Sequence, residues 1–202
     1  MDVLLNPDRF FSQRMEMGFR IPLLILLLFA ILSSISASIS LQFIIEDILG
    51  KLGKDAEILA GTILFFTLVG AFLGPFVSWI LISAVLYAIS KIAGGNGSFS
   101  TLARFTAFSF IPPILCIPLT TYLTIETIRS MSFESVISHF VFSSVLTLWQ
   151  YVYWLFAVKN AMNLSFRRSA IVSAIPLIAY AILSFWSMSV QIGGINTVRT
   201  RI

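Results

Sequence analysis

The chain has 202 residues, 58% of them hydrophobic and 11% charged, with a mean hydropathy of +0.97 and a net charge of +4. A soluble domain of this length would be about a quarter charged, so the composition excludes a water-soluble globule, and the apolar residues fall in long runs that mark lipid as the solvent. The 13 Lys and Arg lie singly or in pairs with no basic face, which argues against nucleic-acid binding and leaves them to set topology and touch anionic lipid head groups.

In chain order, residues 1–20 come first as an interfacial lead-in. Asn6 is placed to cap a helix, Pro7 to start it, and Asp8 to meet the positive end of its dipole. Phe10, Phe11, Met15 and Phe19 then share one side, away from Arg9, Gln13, Arg14 and Glu16, the pattern of an amphipathic helix lying on a membrane. The lead-in carries acids as well as bases, and no small-residue cleavage site follows the first apolar run, so that run reads as a retained span rather than a signal peptide.

The first span is predicted at about 21–40, long enough to cross about 30 Å of hydrocarbon. Ser33, Ser36 and Ser40 share one of its faces, where serines bond back to their own helix or let a neighbour approach closely. From Leu41 to Glu57 the apolar residues Leu41, Ile45, Ile48 and Leu52 oppose Glu46, Asp47, Lys51, Lys54 and Asp55, which predicts an interfacial connector weakened by Gly50 and Gly53.

Residues 58–93 are almost all apolar, too long for one simple crossing and short for two. Gly70, Gly74 and Pro75 interrupt them, which suggests a partial or re-entrant segment at 58–73 followed by a span at about 75–93. Charge decides between five crossings and six. With five, one side receives Arg9, Arg14 and Arg20, then Lys91 and Arg104, then Lys159, Arg167 and Arg168, making eight. The other receives Lys51 and Lys54, Arg129, and Arg199 and Arg201, making five. A sixth crossing leaves six against seven and erases the expected cytoplasmic excess. The reading is therefore a multi-pass protein of the cell membrane with its N-terminus cytoplasmic and its C-terminus outside.

Gly94-Gly95-Asn96-Gly97-Ser98 reads as a flexible turn. It lacks the lysine and the strand-to-helix setting of a phosphate-binding loop. The third span, about 101–124, contains Pro112, Pro113 and Pro118, which remove backbone donors and should bend or break it. Such breaks occur at membrane depth where protein or a hydrated cavity satisfies the freed carbonyls. The last two spans are predicted at about 135–158 and 169–190, the former carrying His139. Asn96 and Asn163 begin glycosylation sequons but fall on the cytoplasmic side. The spans make one membrane domain, 1–202, an all-α five-transmembrane-helix bundle with interfacial amphipathic helices.

The residues offer little chemistry. His139 and Cys116 are the only nitrogen or sulfur metal ligands, whereas a closed zinc site takes about four. Asp2, Asp8, Asp47 and Asp55 all lie outside the spans, and no serine sits in a nucleophile turn that His139 could serve. No catalytic, metal or cofactor site is expected. The functional candidates are Pro112, Pro113, His139, Gly94 and Gly95.

Three stretches together resemble the Yip1 domain family. These are Asn6 to Phe11, then Lys91 to Phe99 leading into Pro112 and Pro113, and Trp154 through Ser169-Ala170 to Pro176. The resemblance covers nearly the whole chain and implies five transmembrane helices with a cytoplasmic N-terminus. Eukaryotic members act in membrane traffic with Rab-type GTPases and with one another. This chain lacks their long soluble N-terminal region and looks more like the short prokaryotic members, which argues against Rab-type GTPase binding. The expected function is a non-enzymatic membrane protein organising lipids, membrane-protein partners or copies of itself. The alternative is a transporter, channel or lipid-moving protein built on the proline-broken third span, the partial segment at 58–73 and the serine face of the first span.

Overall fold

A computed structural model describes residues 2–52, 57–130 and 132–199, with side chains placed for 3–45, 58–130 and 132–193, and its regular structure is entirely helical. Two short helices open the chain, α1 (Asp2–Leu5) and α2 (Pro7–Ser12). Two long helices follow, α3 (Arg20–Leu52) and α4 (Glu57–Ile92). The third span is composite: α5 (Phe99–Thr106), a 3₁₀ turn (Ala107–Phe110) and α6 (Ile111–Ser130). The bundle closes with α7 (Phe133–Met162) and α8 (Phe166–Arg199). Five of these stretches are long and apolar enough to cross a membrane, the expected number.

Two boundaries differ from the sequence reading, for one physical reason. Residues 41–52 continue α3 instead of forming a separate connector, and 58–73 are the first half of α4 rather than a partial segment. Gly70, Gly74 and Pro75 lie inside that unbroken helix. In lipid each unpaired backbone group costs several kcal/mol, while a helical glycine costs about 1 and an interior proline about 3, so continuing the helix past all three costs less than exposing the several backbone groups of a break. Across 36 residues α4 is about 54 Å long, which explains why the run looked too long for one crossing. The polar face expected at Glu46, Asp47 and Lys51, with Gly53, Lys54 and Asp55, rests on side chains outside the described residues.

The caps follow from local chemistry. Asn6 Oδ1 accepts from the Arg9 amide at 3.1 Å, ahead of Pro7. Ser98 and Ser132 accept from the amides of Thr101 and Ser135 at the starts of α5 and α7. Asn163 ends α7 in the left-handed conformation, φ 53°.

The core is unevenly placed. Half of the third span's apolar stretch is buried inside the protein, against 11% for α4 and α8. The third and fourth spans are therefore the packed centre, and α4 and α8 flank it with mostly lipid-facing surface. At one end the core is closed by the N-terminal segment. Phe10 and Phe11 are buried, with Phe11 stacked on Phe105 at 4.7 Å and Phe10 edge-on to Phe108 at 5.0 Å. Their side of the lead-in thus faces protein, while Met15 and Phe19 stay exposed.

Candidate functional site

The three sequence stretches that stood out meet at this capped end. Asp8 pairs with Lys159 Nζ at 2.6 Å and accepts from Asn160 Nδ2 at 2.9 Å. Burial would raise the Asp8 carboxyl, but the hydrogen bonds from Lys159 and Asn160 and the lysine charge outweigh it and hold the group below the ordinary aspartate range. The Arg104 guanidinium donates to the Met17 carbonyl. The amide of Asn96 donates to the Met162 carbonyl at 3.0 Å, and Arg168 reaches the Ala93 carbonyl at 3.4 Å.

Gly94 and Gly95 belong to this joint. Gly94 takes φ 90°, which L residues rarely adopt. A Cβ on Gly95 would lie 2.9 Å from the Ser90 carbonyl and 3.1 Å from Met162 Cβ, and one on Gly97 would overlap the Ala161 carbonyl. The glycine turn is therefore a close backbone contact between the α4–α5 connection and the end of α7. Its glycines bring two backbones together.

The break in the third span lies just ahead of its prolines. Pro112 and Pro113 follow the 3₁₀ turn after Ile111, in the first turn of α6, where the missing amides would have called on carbonyls of the 3₁₀ turn. Polar side chains serve the neighbouring backbone. The Ala103 carbonyl accepts from Thr106 Oγ1 at 3.0 Å and from Trp79 Nε1 at 2.8 Å, and the Thr106 carbonyl accepts from Ser109 Oγ at 2.8 Å. Thr106 Oγ1 also meets Ser83 Oγ at 2.7 Å, tying α4 to the break. Pro118 sits inside α6 without interrupting it.

Below the break, Pro113 lines an open groove of about 430 Å³ between α3, α4 and α6. Ser33, Ser36 and Ser40 line the α3 wall, as their shared face anticipated, and Thr120 and Thr124 face them from α6. Ser36 and Thr121 hydroxyls join the two helices at 2.6 Å. Thr120 donates to the Ile117 carbonyl at 2.9 Å and Thr124 to the Thr120 carbonyl at 2.8 Å, so much of the polarity on α6 turns back to its own helix. Phe29, Ile44, Ile117 and Ile128 complete an apolar wall. The sequence reading overlooked the α6 contribution, although Thr120, Thr124 and Thr127 recur at helical spacing and would have revealed it.

The expected candidates do not gather into one site. Pro113 lines the lateral groove, Pro112 is buried at the break, Gly94 and Gly95 form the joint, and His139 lines a separate groove between α7 and α8. The reason is geometric. Thr127 bonds across to Ser135 at the start of α7, and Pro112 lies about 22 Å along α6 from that point.

Among known proteins, the family model described as Yip1 domain matches residues 1–188. An uncharacterized protein of Methanocaldococcus jannaschii is 34% identical over 129 residues, covering 61% of this chain and 89% of the relative. No solved structure matches the chain.

Proposed function

The chain belongs to the Yip1 domain family, and from that membership and its lateral groove we propose a non-enzymatic integral membrane protein that organises lipids or membrane-protein partners. The observation that carries this reading is the groove between α3, α4 and α6. None of its lining residues is charged, and its walls combine apolar side chains with small hydroxyl residues. Such a surface suits an acyl chain or an apolar helix, which bring no unsatisfied polar groups. The partner helix can equally come from a second copy of this chain. Rab-type GTPase binding forms no part of the proposal.

In this reading the N-terminus, the glycine turn and the α7–α8 connection face the cytoplasm, and the C-terminus lies outside. The excess of Lys and Arg on that side supports the assignment. Pro112 and Pro113 act as positioning residues that set the direction of α6 and hence the width of the groove.

A photo-crosslinker placed at Thr124 tests the proposal, with Trp186 on the exposed flank of α8 as control. Thr124 should capture a labelled acyl chain or an apolar helix in a saturable manner, and Trp186 should give only non-saturable lipid labelling. The opposing result is a hydrated groove. If Thr124→Cys, in a chain with Cys116 replaced, reacts with water-soluble thiol reagents as fast as an exposed loop cysteine, and reconstituted vesicles leak solute, the protein is a conduit instead.

A further inference from the structure

We propose that the groove between α7 and α8 binds a glycolipid, holding its uncharged, hydroxyl-rich head group against His139 and Gln191. The groove encloses about 340 Å³. Tyr180, Ser184, Ser187 and Gln191 line it from α8, at spacings of four, three and four that place them on one helix face. His139 and Ser143, four apart, face them from α7.

Both grooves hold polar side chains without a partner among the described residues, hydroxyls alone in the lateral one (Ser33, Ser40 and Thr67) but an imidazole and a phenol as well in this one. Gln191 Nε2 donates to Ser187 Oγ at 3.3 Å. His139, Ser143, Tyr180 and Ser184 make no side-chain hydrogen bond to the described residues. Four polar side chains thus turn toward one groove without a partner in a protein surrounded by lipid, where an unmet hydrogen bond is expensive. A ligand with several hydrogen-bonding groups would meet them.

The lining also selects the chemistry of that ligand. Neutral imidazole, carboxamide and hydroxyl groups each offer both a donor and an acceptor, which complements sugar hydroxyls. A phosphate offers acceptors and draws Arg or Lys, and neither lines the groove. Depth agrees with a lipid. His139 lies six residues into α7, about 9 Å from its start, and Tyr180 about 16 Å along α8 from Gln191. The polar face therefore runs from head-group level toward the acyl region. Phe140 and Leu183 supply apolar wall beside it, and Phe140 is braced edge-on by Phe185 at 4.9 Å.

Native mass spectrometry of the full chain, released from membranes holding equal amounts of monoglucosyl-diacylglycerol and phosphatidylglycerol with matched acyl chains, tests the assignment. The glycolipid should be retained about tenfold over the anionic lipid, the effect of one or two good hydrogen bonds. His139→Ala with Gln191→Ala should abolish the preference, and Gln191→Lys should turn it toward phosphatidylglycerol. Thr124→Leu, in the lateral groove, should leave it unchanged, so the two sites fail or stand independently. Equal retention of both lipids overturns the proposal, as does a preference that survives the double substitution or is lost with Thr124→Leu alone. If the double variant does not fold, an unaltered selectivity in Gln191→Lys overturns it equally.

Discussion

At Gly97 the end of α7 comes so close that a Cβ would overlap the Ala161 carbonyl, whereas a Cβ at Gly70 on α4 would meet nothing within 4 Å. The two glycines should therefore respond oppositely to alanine. Gly97→Ala forces backbone apart and should cost about 3 kcal/mol or prevent folding. Gly70→Ala should be neutral or stabilise by up to about 1 kcal/mol, the helix-propensity difference. Thermal unfolding of both variants in the same detergent reads the contrast, and equal effects would contradict the close joint. Asp8 supplies a second test at this scale. Its carboxyl is held below the ordinary value of 3.8 when folded, so its pair with Lys159 adds stability above that value and loses it as pH falls through the lower folded value. The pair is about a third exposed, which limits its worth to about 0.5–1 kcal/mol. Protease protection of residues 2–12 should be steady at neutral pH and weaken below 3.8. Asp8→Asn should lower protection at neutral pH and flatten the profile. Neither contact was visible in the chain itself. The turn looked flexible because its glycines were read for freedom, and Asp8 for its own helix dipole, while both partners sit more than 60 residues away in sequence.

The third span shows what element-level reading captures and where it stops. Pro112 and Pro113 adjoin the 3₁₀ interruption of the third span as expected, whereas Pro118, which lacks its amide equally, lies within continuous α6, so residue type alone locates the break only in part. The 3₁₀ geometry of Ala107–Phe110 and the hydroxyls that serve it depend on α4 lying alongside. Ser83 and Thr106, both buried and joined at 2.7 Å, are therefore expected to act as a pair. A double-mutant cycle of Ser83→Ala and Thr106→Val, followed by unfolding in detergent, should give a coupling of about 0.5–1.7 kcal/mol, the range for hydrogen bonds between membrane helices. A coupling near zero would mean that the hydroxyls do not tether α4 to the break. The long flanking helices show the opposite balance. Their apolar runs identified them as spans, but their unbroken length did not follow from Gly70, Gly74 and Pro75 read as interruptions. Propensity learned in water understates how strongly lipid enforces a continuous helix.

At the scale of the whole chain, the capped end carries topological information that charge counting supplied only as a balance of eight against five. The N-terminal helix touches the end of α7 through Asp8 and Lys159, and the 94–98 turn touches the same end through Asn96 and Met162. Two segments packed on one end of a bundle cannot be separated by a bilayer, so an even number of crossings divides residue 12 from residue 96. α3 and α4 provide two. A separate crossing by 58–73 would make three and pull this joint apart. Ser130 lies one further span along, at the end of α6. Single cysteines at Ser12, Asn96 and Ser130, each exposed, read this directly in a chain whose Cys116 is replaced. With an impermeant maleimide on intact cells, Ser130→Cys should label, while Ser12→Cys and Asn96→Cys should label only after permeabilisation. Ser12→Cys and Asn96→Cys behaving oppositely would refute the two-crossing arrangement. If those two label together from outside and Ser130→Cys from within, the bundle stands but its proposed orientation is inverted, and the α7–α8 groove with His139 moves to the cytoplasmic leaflet.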